Sequence, residues 1–354
     1  MNNIVTLFQK LVQIDSPSGE EDRIAKYLFE YLKKYTYTVK KDKSSNIYAY
    51  IPGTGEPLFF AAHMDTVEPG KRIKPVMHDT YITSDGSTIL GADNKASIAC
   101  ILSALEKLKS NHIIHRPIEL VFTVCEETDN SGALNFDYSQ IQSKFGYCFD
   151  SVSPVGSIII ASPFYERFDI KIIGKEAHAS KPQEALNALL GLNKLLNSVT
   201  LGKIDTETTI NIGTVNGGFV RNTIPGEIYL KGEIRCLTEK KLLNHKSKFT
   251  RILTAISKKS GIKFEYDFVR ENPGYKFTSA QKHIIDTITD KMKTVRIKPE
   301  PLVAWGVSDA NIFNNNGLVC FNLGDGVEYA HSRKERIKIS DMEKLVNLMV
   351  QLAT

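Results

Sequence analysis

Acids and imidazoles stand at the ends of apolar stretches in this chain, where a fold can gather them. Leu58-Phe59-Phe60-Ala61-Ala62 runs directly into His63-Met64-Asp65. Side chains two apart on an extended chain point the same way. A strand ending there delivers an imidazole and a carboxylate to one spot at a sheet's end. That is the spacing of a metal ligand and the carboxylate that orients it, although a lone His-x-Asp is common without any site. Leu120-Val121-Phe122-Thr123-Val124 leads through Cys125 to the adjacent acids Glu126 and Glu127, and the run ending at Phe149 meets Asp150. Asp93 precedes a helical pattern, and His331 lies in the tail. Each has a plain reading alone: Asp93 as a helix N-cap, Glu126 and Glu127 as a solvated strand end, Asp150 as a strand terminator, His331 as a surface loop residue. Jointly they point elsewhere. Adjacent glutamates closing a buried strand repel in low dielectric unless a cation is present. Two imidazoles with several carboxylates are the mixed N/O donor set that suits zinc, cobalt or manganese.

The elements that must position these groups follow from periodicity. A helix is predicted over residues 4–14, then a break at Ser16-Pro17-Ser18-Gly19. Ser18 and Glu21 have capping-box spacing for a helix reaching about residue 35. Residues 46–51 and the run to His63 read as strands around the turn at 52–55, and 81–88 as a hairpin-like polar stretch. A helix begins around 89–95 and continues to about 109; buried strands follow at 118–124 and 145–149. Sites in open α/β sheets collect outside strand ends, so His63, Glu126 and Asp150 are expected to converge. After about residue 160 the pattern becomes β-α-β-β-α-β: strand 168–173, helix 184–199, strands 208–215 and 227–235, helix 240–259, strand 263–268. That is the order of a ferredoxin-like module. The tail returns to helix, buried strand (318–323) and helix (341–352). The expected fold class is α/β, a catalytic domain with a mixed, mostly parallel sheet flanked by helices. Its two parts, 1–161 and 271–354, enclose an inserted ferredoxin-like α+β domain at 162–270.

Composition narrows the function. The 354 residues are 42% apolar and 24% charged, ordinary for a globular chain of two domains. The net charge of +5 is spread over helical faces such as 240–259, with no basic run interleaved with aromatics, which argues against nucleic acid. No apolar run reaches membrane-spanning length, and the start, Met1-Asn2-Asn3, has no signal-peptide pattern. The five cysteines (Cys100, Cys125, Cys148, Cys236 and Cys320) are odd in number and widely spaced, which is expected of reduced thiols in a cytoplasmic protein.

Ordered motifs across nearly the whole chain resemble the dinuclear-zinc M20 metallopeptidases. They are Ala62-His63-Met64-Asp65-Thr66-Val67, Leu90-Gly91-Ala92-Asp93-Asn94-Lys95-Ala96, Glu126-Glu127 and Asp150. Gly174-Lys175-Glu176-Ala177-His178-Ala179, Arg221-Asn222-Thr223-Ile224-Pro225-Gly226, Gly306-Val307-Ser308-Asp309-Ala310 and His331-Ser332-Arg333-Lys334-Glu335 follow. The resemblance implies that Asp93 bridges two divalent metals, zinc foremost, with cobalt or manganese as alternatives. His63 and Asp150 complete one site, Glu127 and His331 the other. Asp65 orients the His63 ring, and Glu126 is the general base. The inserted domain is the family's lid and dimerisation domain, so a homodimer is implied. In it His178 reaches the partner's site as an oxyanion donor, while Asn222 and Arg235 bind the substrate's terminal carboxylate. Arg235 has a second reading as a salt-bridged strand residue.

Two departures stand out. Asn94 occupies a position that is often aspartate in this family, next to a bond that is commonly cis in relatives. Ser97 replaces a frequent glycine, which bears on helix packing. Asp150 in place of glutamate, Ile160-Ala161 and the 306–310 motif look most like the peptidase T-like (tripeptidase) subgroup. The expected function is therefore metal-dependent hydrolysis of short peptides, by an aminopeptidase releasing N-terminal residues from tripeptides. The alternatives are an N-acyl-amino-acid deacylase or carboxypeptidase of the same family and, from another class, a catalytically silent metal- or peptide-binding protein. The presence of Glu126 weighs against the silent reading.

Overall fold

A computed structural model describes residues 3–36 and 38–354. The expectation placed on the start of the chain falls on Met1 and Asn2, which lie outside the described residues. The chain divides into two compact units, one of Met1–Ile160, Phe277–Ala304 and Ser308–Thr354, the other of Ala161–Lys276 and Trp305–Val307.

In the first unit the long apolar runs form a central sheet. Its spatial order is Val39–Lys41, Ile47–Ile51, Ile118–Thr123, Leu58–His63, Phe145–Ser151, Val319–Gly324, Ser157–Ser162. The middle pairs are parallel and the flanking pairs antiparallel. Leu58–His63 and Ile118–Thr123 are buried at every position, as parallel strands covered on both faces must be. Phe60 and Phe122 share one apolar cluster with Phe8 of helix Asn3–Val12, Leu105 of helix Ala92–Ser110 and Met349 of helix Ile339–Ala353. Ser97 fits its helix into this packing by donating from Oγ to the Phe149 carbonyl at 2.7 Å.

Some local expectations are corrected. Helix Asp22–Leu32 begins without a side-chain cap. Ser18 Oγ donates instead to Asp65 Oδ2 (2.7 Å), and Glu21 Oε1 accepts from the N–H groups of Gly19 (2.9 Å) and Cys125 (3.0 Å). Buried groups at the sheet's end require partners, whereas the helix start at Asp22 and Arg23 is exposed to water. The polar stretch 81–88 is not a hairpin in itself. Tyr81–Ser84 pairs back with Pro75–Met77 in a small four-stranded sheet, and Ser84 Oγ closes the following loop on the Thr88 carbonyl.

The second unit carries an antiparallel sheet in the order Gly202–Asp205, Thr208–Gly217, Glu227–Cys236, Phe164–Ile173, Lys263–Asn272. Alternate residues Phe168, Ile170 and Ile172 meet Leu192 and Leu195 of helix Ala188–Leu196 and Phe249 and Leu253 of helix Glu239–Ser260. This is the expected β-α-β-β-α-β succession with one edge strand, Gly202–Asp205, added by a hairpin. The first helix is shorter than its periodicity implies because Pro182–Glu184 forms a separate turn and Asn187 caps the start, accepting from Leu189 N–H. Among the described residues all five cysteines are free, and no helix is long and apolar enough to cross a membrane.

Candidate metal centre

Parallel pairing places His63 opposite Thr123, and Ala61 opposite Cys148. The C-terminal ends of three neighbouring strands therefore open at one place, bringing His63, the turn Glu126–Asp129 and Asp150 together. Asp93 enters from the start of helix Ala92–Ser110. It is not an N-cap: that position is Gly91, in the left-handed region at φ 70°, and Asp93 itself has non-helical angles. The peptide bond joining Asp93 to Asn94 is cis. Turned away from the helix, the Asp93 carboxylate sends Oδ1 to within 3.2 Å of His63 Nε2 and Oδ2 to within 3.3 Å of His331 Nε2. Asp150 Oδ1 lies 3.3 Å from the same His63 nitrogen, and Glu127 Oε1 lies 2.9 Å from His331 Nε2. His63–Asp93–Asp150 and Asp93–Glu127–His331 each have ligand atoms within 4.8 Å of one another; so do His63, Glu126 and Glu127.

Asp65 holds this arrangement from beneath. His63 Nδ1 is 3.0 Å from the Asp65 carbonyl oxygen and 3.3 Å from its carboxylate. The carboxylate accepts from Glu126 N–H (3.0 Å), Glu127 N–H (3.1 Å) and Ser18 Oγ. One side chain thus fixes the imidazole and the acidic turn together. Asn94 Nδ2 donates to Asp150 Oδ1 at 2.7 Å, so the amide that stands where an acid is frequent steadies Asp150 without adding a charge.

Glu335 is a positioning group that sequence reasoning did not assign. Its buried carboxylate accepts three backbone N–H groups, from Leu90 (2.8 Å), Gly91 (2.8 Å) and Asp93 (3.0 Å). The residue four beyond His331 therefore clamps the turn that presents Asp93. Burial pushes the Glu335 carboxyl up to about 7, against the lowering effect of those bonds. Its only sequence signal was membership of the His331 motif.

The electrostatics are those of crowded acids. Burial raises Glu126, Asp150 and Glu127 above the ordinary carboxylate range, and neighbouring acid charges add to it. Burial also opposes charge on His63 and Asp93. The charge of Asp150 and bonds to three acids overcome it at His63, raising that ring, while bonds from both imidazoles hold Asp93 low. Hydrogen bonds to Asp93 and Glu127 push His331 up to about 10. Asp93, Asp150 and Glu127 with the imidazoles of His63 and His331 make a donor set that fits divalent cations in the mixed N/O chemistry of zinc, cobalt or manganese.

In the second unit, Ala177–His178 pairs with Thr223–Ile224, and Ala179 N–H donates to the Asn222 carbonyl at 2.8 Å, so His178 and Asn222 are neighbours. His178 is exposed, with Nδ1 2.7 Å from Ser180 Oγ. Arg235 is engaged by Glu233 (3.0 Å), the Trp305 carbonyl (2.8 Å) and the Tyr165 ring (4.4 Å to its centroid), which is the salt-bridged state considered for it.

The protein YqjE of Bacillus subtilis (strain 168) is 32% identical over 98% of this chain and 96% of its own length. The crystal structure of aminopeptidase PepT from Bacillus cereus ATCC 10987 superposes with a TM-score of 0.95 at 32% identity, covering 99% of this chain and 97% of that one. A tripeptidase from Staphylococcus aureus subsp. aureus Mu50 does so with a TM-score of 0.96 at 31% identity, covering 99% and 96%. The description of peptidase family M20/M25/M40 matches residues 59–354, and with the strand-end acids and imidazoles gathered at one place, the chain belongs to that family.

Proposed function

We propose that this peptidase is a two-cation aminopeptidase of short peptides, releasing N-terminal residues from tripeptides. One observation carries the two-cation part: the two oxygens of Asp93 face different imidazoles, and each imidazole has a further acid beside it. His63, Asp93 and Asp150 would hold one cation, and Asp93, Glu127 and His331 the other. Zinc is the first choice. The substrate rests on the aminopeptidase and tripeptidase relatives at 31–32% identity.

Bound divalent cations supply Lewis acidity, acidifying a water and polarising the scissile carbonyl. The chain's own residues do the rest. Asp65 keeps the His63 ring in the tautomer that leaves Nε2 free for a ligand bond. Glu126 accepts a proton from the attacking water and returns it to the leaving amine. Its raised proton affinity, caused by burial and by the Asp150 charge, matches that two-way duty. Asn222 and Arg235 are the groups for the peptide's terminal carboxylate; Arg235 must exchange a Glu233 or Trp305 contact to serve.

We place this enzyme in the cytoplasm as a homodimer built through residues 162–270, with His178 stabilising the oxyanion in the partner's site. The dimer reading draws support from strand Thr208–Gly217. Its edge pairing with Gly202–Asp205 stops at Ile210, and among the described residues 211–217 have no strand on that side. Phe219 and Val220 nearby are strongly exposed. Mixing His178→Ala chains with Glu126→Gln chains tests the sharing: hybrid dimers recover activity if one site takes Glu126 and His178 from different chains, and no recovery removes that role.

A panel of di-, tri- and tetrapeptides with free and blocked amino termini, alongside N-acyl amino acids, tests the substrate. Tripeptide cleavage that needs a free amine, is lost on chelation and returns with zinc, cobalt or manganese is the expected result. Preference for N-acyl amino acids or for C-terminal release transfers the chain to the deacylase or carboxypeptidase reading. Turnover that survives exhaustive chelation sinks the metal assignment.

A further inference from the structure

Gly306-Val307-Ser308-Asp309-Ala310 leads into the helix Asp309–Asn315. Ser308 caps helix Asp309–Asn315, its side chain accepting from Ala310 N–H within a capping box with Asn311. Asp309, the first helical residue, is therefore not needed as the cap. It is only 2% exposed, and its carboxylate is spent elsewhere. Oδ2 accepts from Thr123 Oγ1 at 2.5 Å, and Oδ1 accepts from Asn130 Nδ2 at 2.9 Å. Thr123 ends the strand that pairs with His63, so Asp309 is anchored to the layer that holds the site. Asn130 closes the turn Glu126–Asp129 in the left-handed region at φ 52°, a conformation that Asn tolerates. The same Asn130 nitrogen lies 3.2 Å from Glu126 Oε1.

A side-chain amide nitrogen carries two hydrogens. Here one is directed to Asp309 and the other to Glu126. Asp309 cannot move without losing Thr123, and Asn130 cannot rotate without leaving a buried acid short of a donor, which is costly. The amide is thereby aimed, and with it one oxygen of Glu126.

We infer that Asn130 and Asp309 are positioning residues for Glu126, a relay that rests on the reading of Glu126 as general base. Neither touches the reacting atoms. Their effect falls on the orientation of the base, and misplacing a reacting group by about 1 Å can cost on the order of 100-fold in rate.

The test uses the full-length, metal-loaded enzyme and the tripeptide it cleaves best. Asn130→Ala and Asp309→Ala are each expected to lower kcat by about 10- to 100-fold, with KM and cations per chain unchanged. The double variant falls no further than the worse single one, because both act through one amide. Asp309→Asn recovers most of kcat: its oxygen can accept from Asn130, and its nitrogen can donate to a rotated Thr123 hydroxyl. That near-isosteric variant and Asn130→Ala decide the matter if Asp309→Ala does not fold. Additive losses in the double variant, loss of cations in Asn130→Ala, or wild-type kcat in Asn130→Ala each overturn the relay. Glu126→Gln separates the two failures. If it is inert while Asn130→Ala is unimpaired, the relay alone is wrong; if it turns over normally, the reading of Glu126 has failed first.

Discussion

Glu126→Gln lowers turnover by about 1,000-fold or more while both cations stay bound. The substitution keeps the shape of the side chain and its contact with Asn130, but an amide cannot take up a proton. General-base catalysis by a positioned carboxylate is typically worth about 100- to 10,000-fold. Here the same group must also return the proton to the leaving amine, which places the expected loss high in that range. The raised proton affinity of Glu126 comes from burial and then from Asp150; neither contribution survives in a neutral amide. The rival reading is written into the geometry, because Glu126 also forms a trio with His63 and Glu127. Metal analysis of the purified variant decides between the two. Two cations per chain with turnover lost identifies a base. A drop to one cation identifies a ligand, and retained turnover leaves Glu126 with neither role.

The apolar strands were legible because buried parallel strands are nearly continuous hydrophobic runs, and His63 and Asp150 sit at or just beyond such runs for the same reason. Their convergence was an inference from strand ends; its cause, Leu58–His63 lying between Ile118–Thr123 and Phe145–Ser151, is non-local pairing that no window of sequence contains. Local rules failed where distant partners outbid them. Ser18 and Glu21 have capping-box spacing, but their side chains serve Asp65 and Cys125, 47 and 104 residues away. Asp93 stands where an N-cap is expected, yet its carboxylate is held between two imidazoles 30 and 238 residues distant in sequence. Glu335 acts on backbone N–H groups more than 240 residues earlier. These departures from local preference gather around one place, as they do where a site sets the terms.

Asp93→Ala is expected to remove both cations rather than one. Each proposed cation would be held by three protein ligands, with Asp93 common to both sets, so its loss would leave His63–Asp150 and Glu127–His331 as separate pairs. Losing a partner that merely supports a ligand already costs about 10- to 100-fold in metal affinity; loss of a shared ligand is expected to exceed about 100-fold at both positions. Protons provide a second readout. In the metal-free protein His331 is pushed up to about 10, first by its bond to Asp93 and then by Glu127. A folded-state pKa above the ordinary value of about 6.5 stabilises the metal-free fold fully below that pH, and the benefit is lost as pH rises through about 10. At pH 7 the ring therefore carries a proton that ligation must expel. Metal binding to the wild-type protein should release protons and tighten as pH rises toward 10. Calorimetric titration in buffers of different ionisation heat measures that release directly. Without Asp93, His331 loses its largest partner and moves back toward 6.5, so any residual binding should release fewer protons. Two cations held by Asp93→Ala with unchanged affinity would show that the paired imidazoles are not joined through this carboxylate. Loss of one alone would assign Asp93 to a single cation and dissolve the bridge.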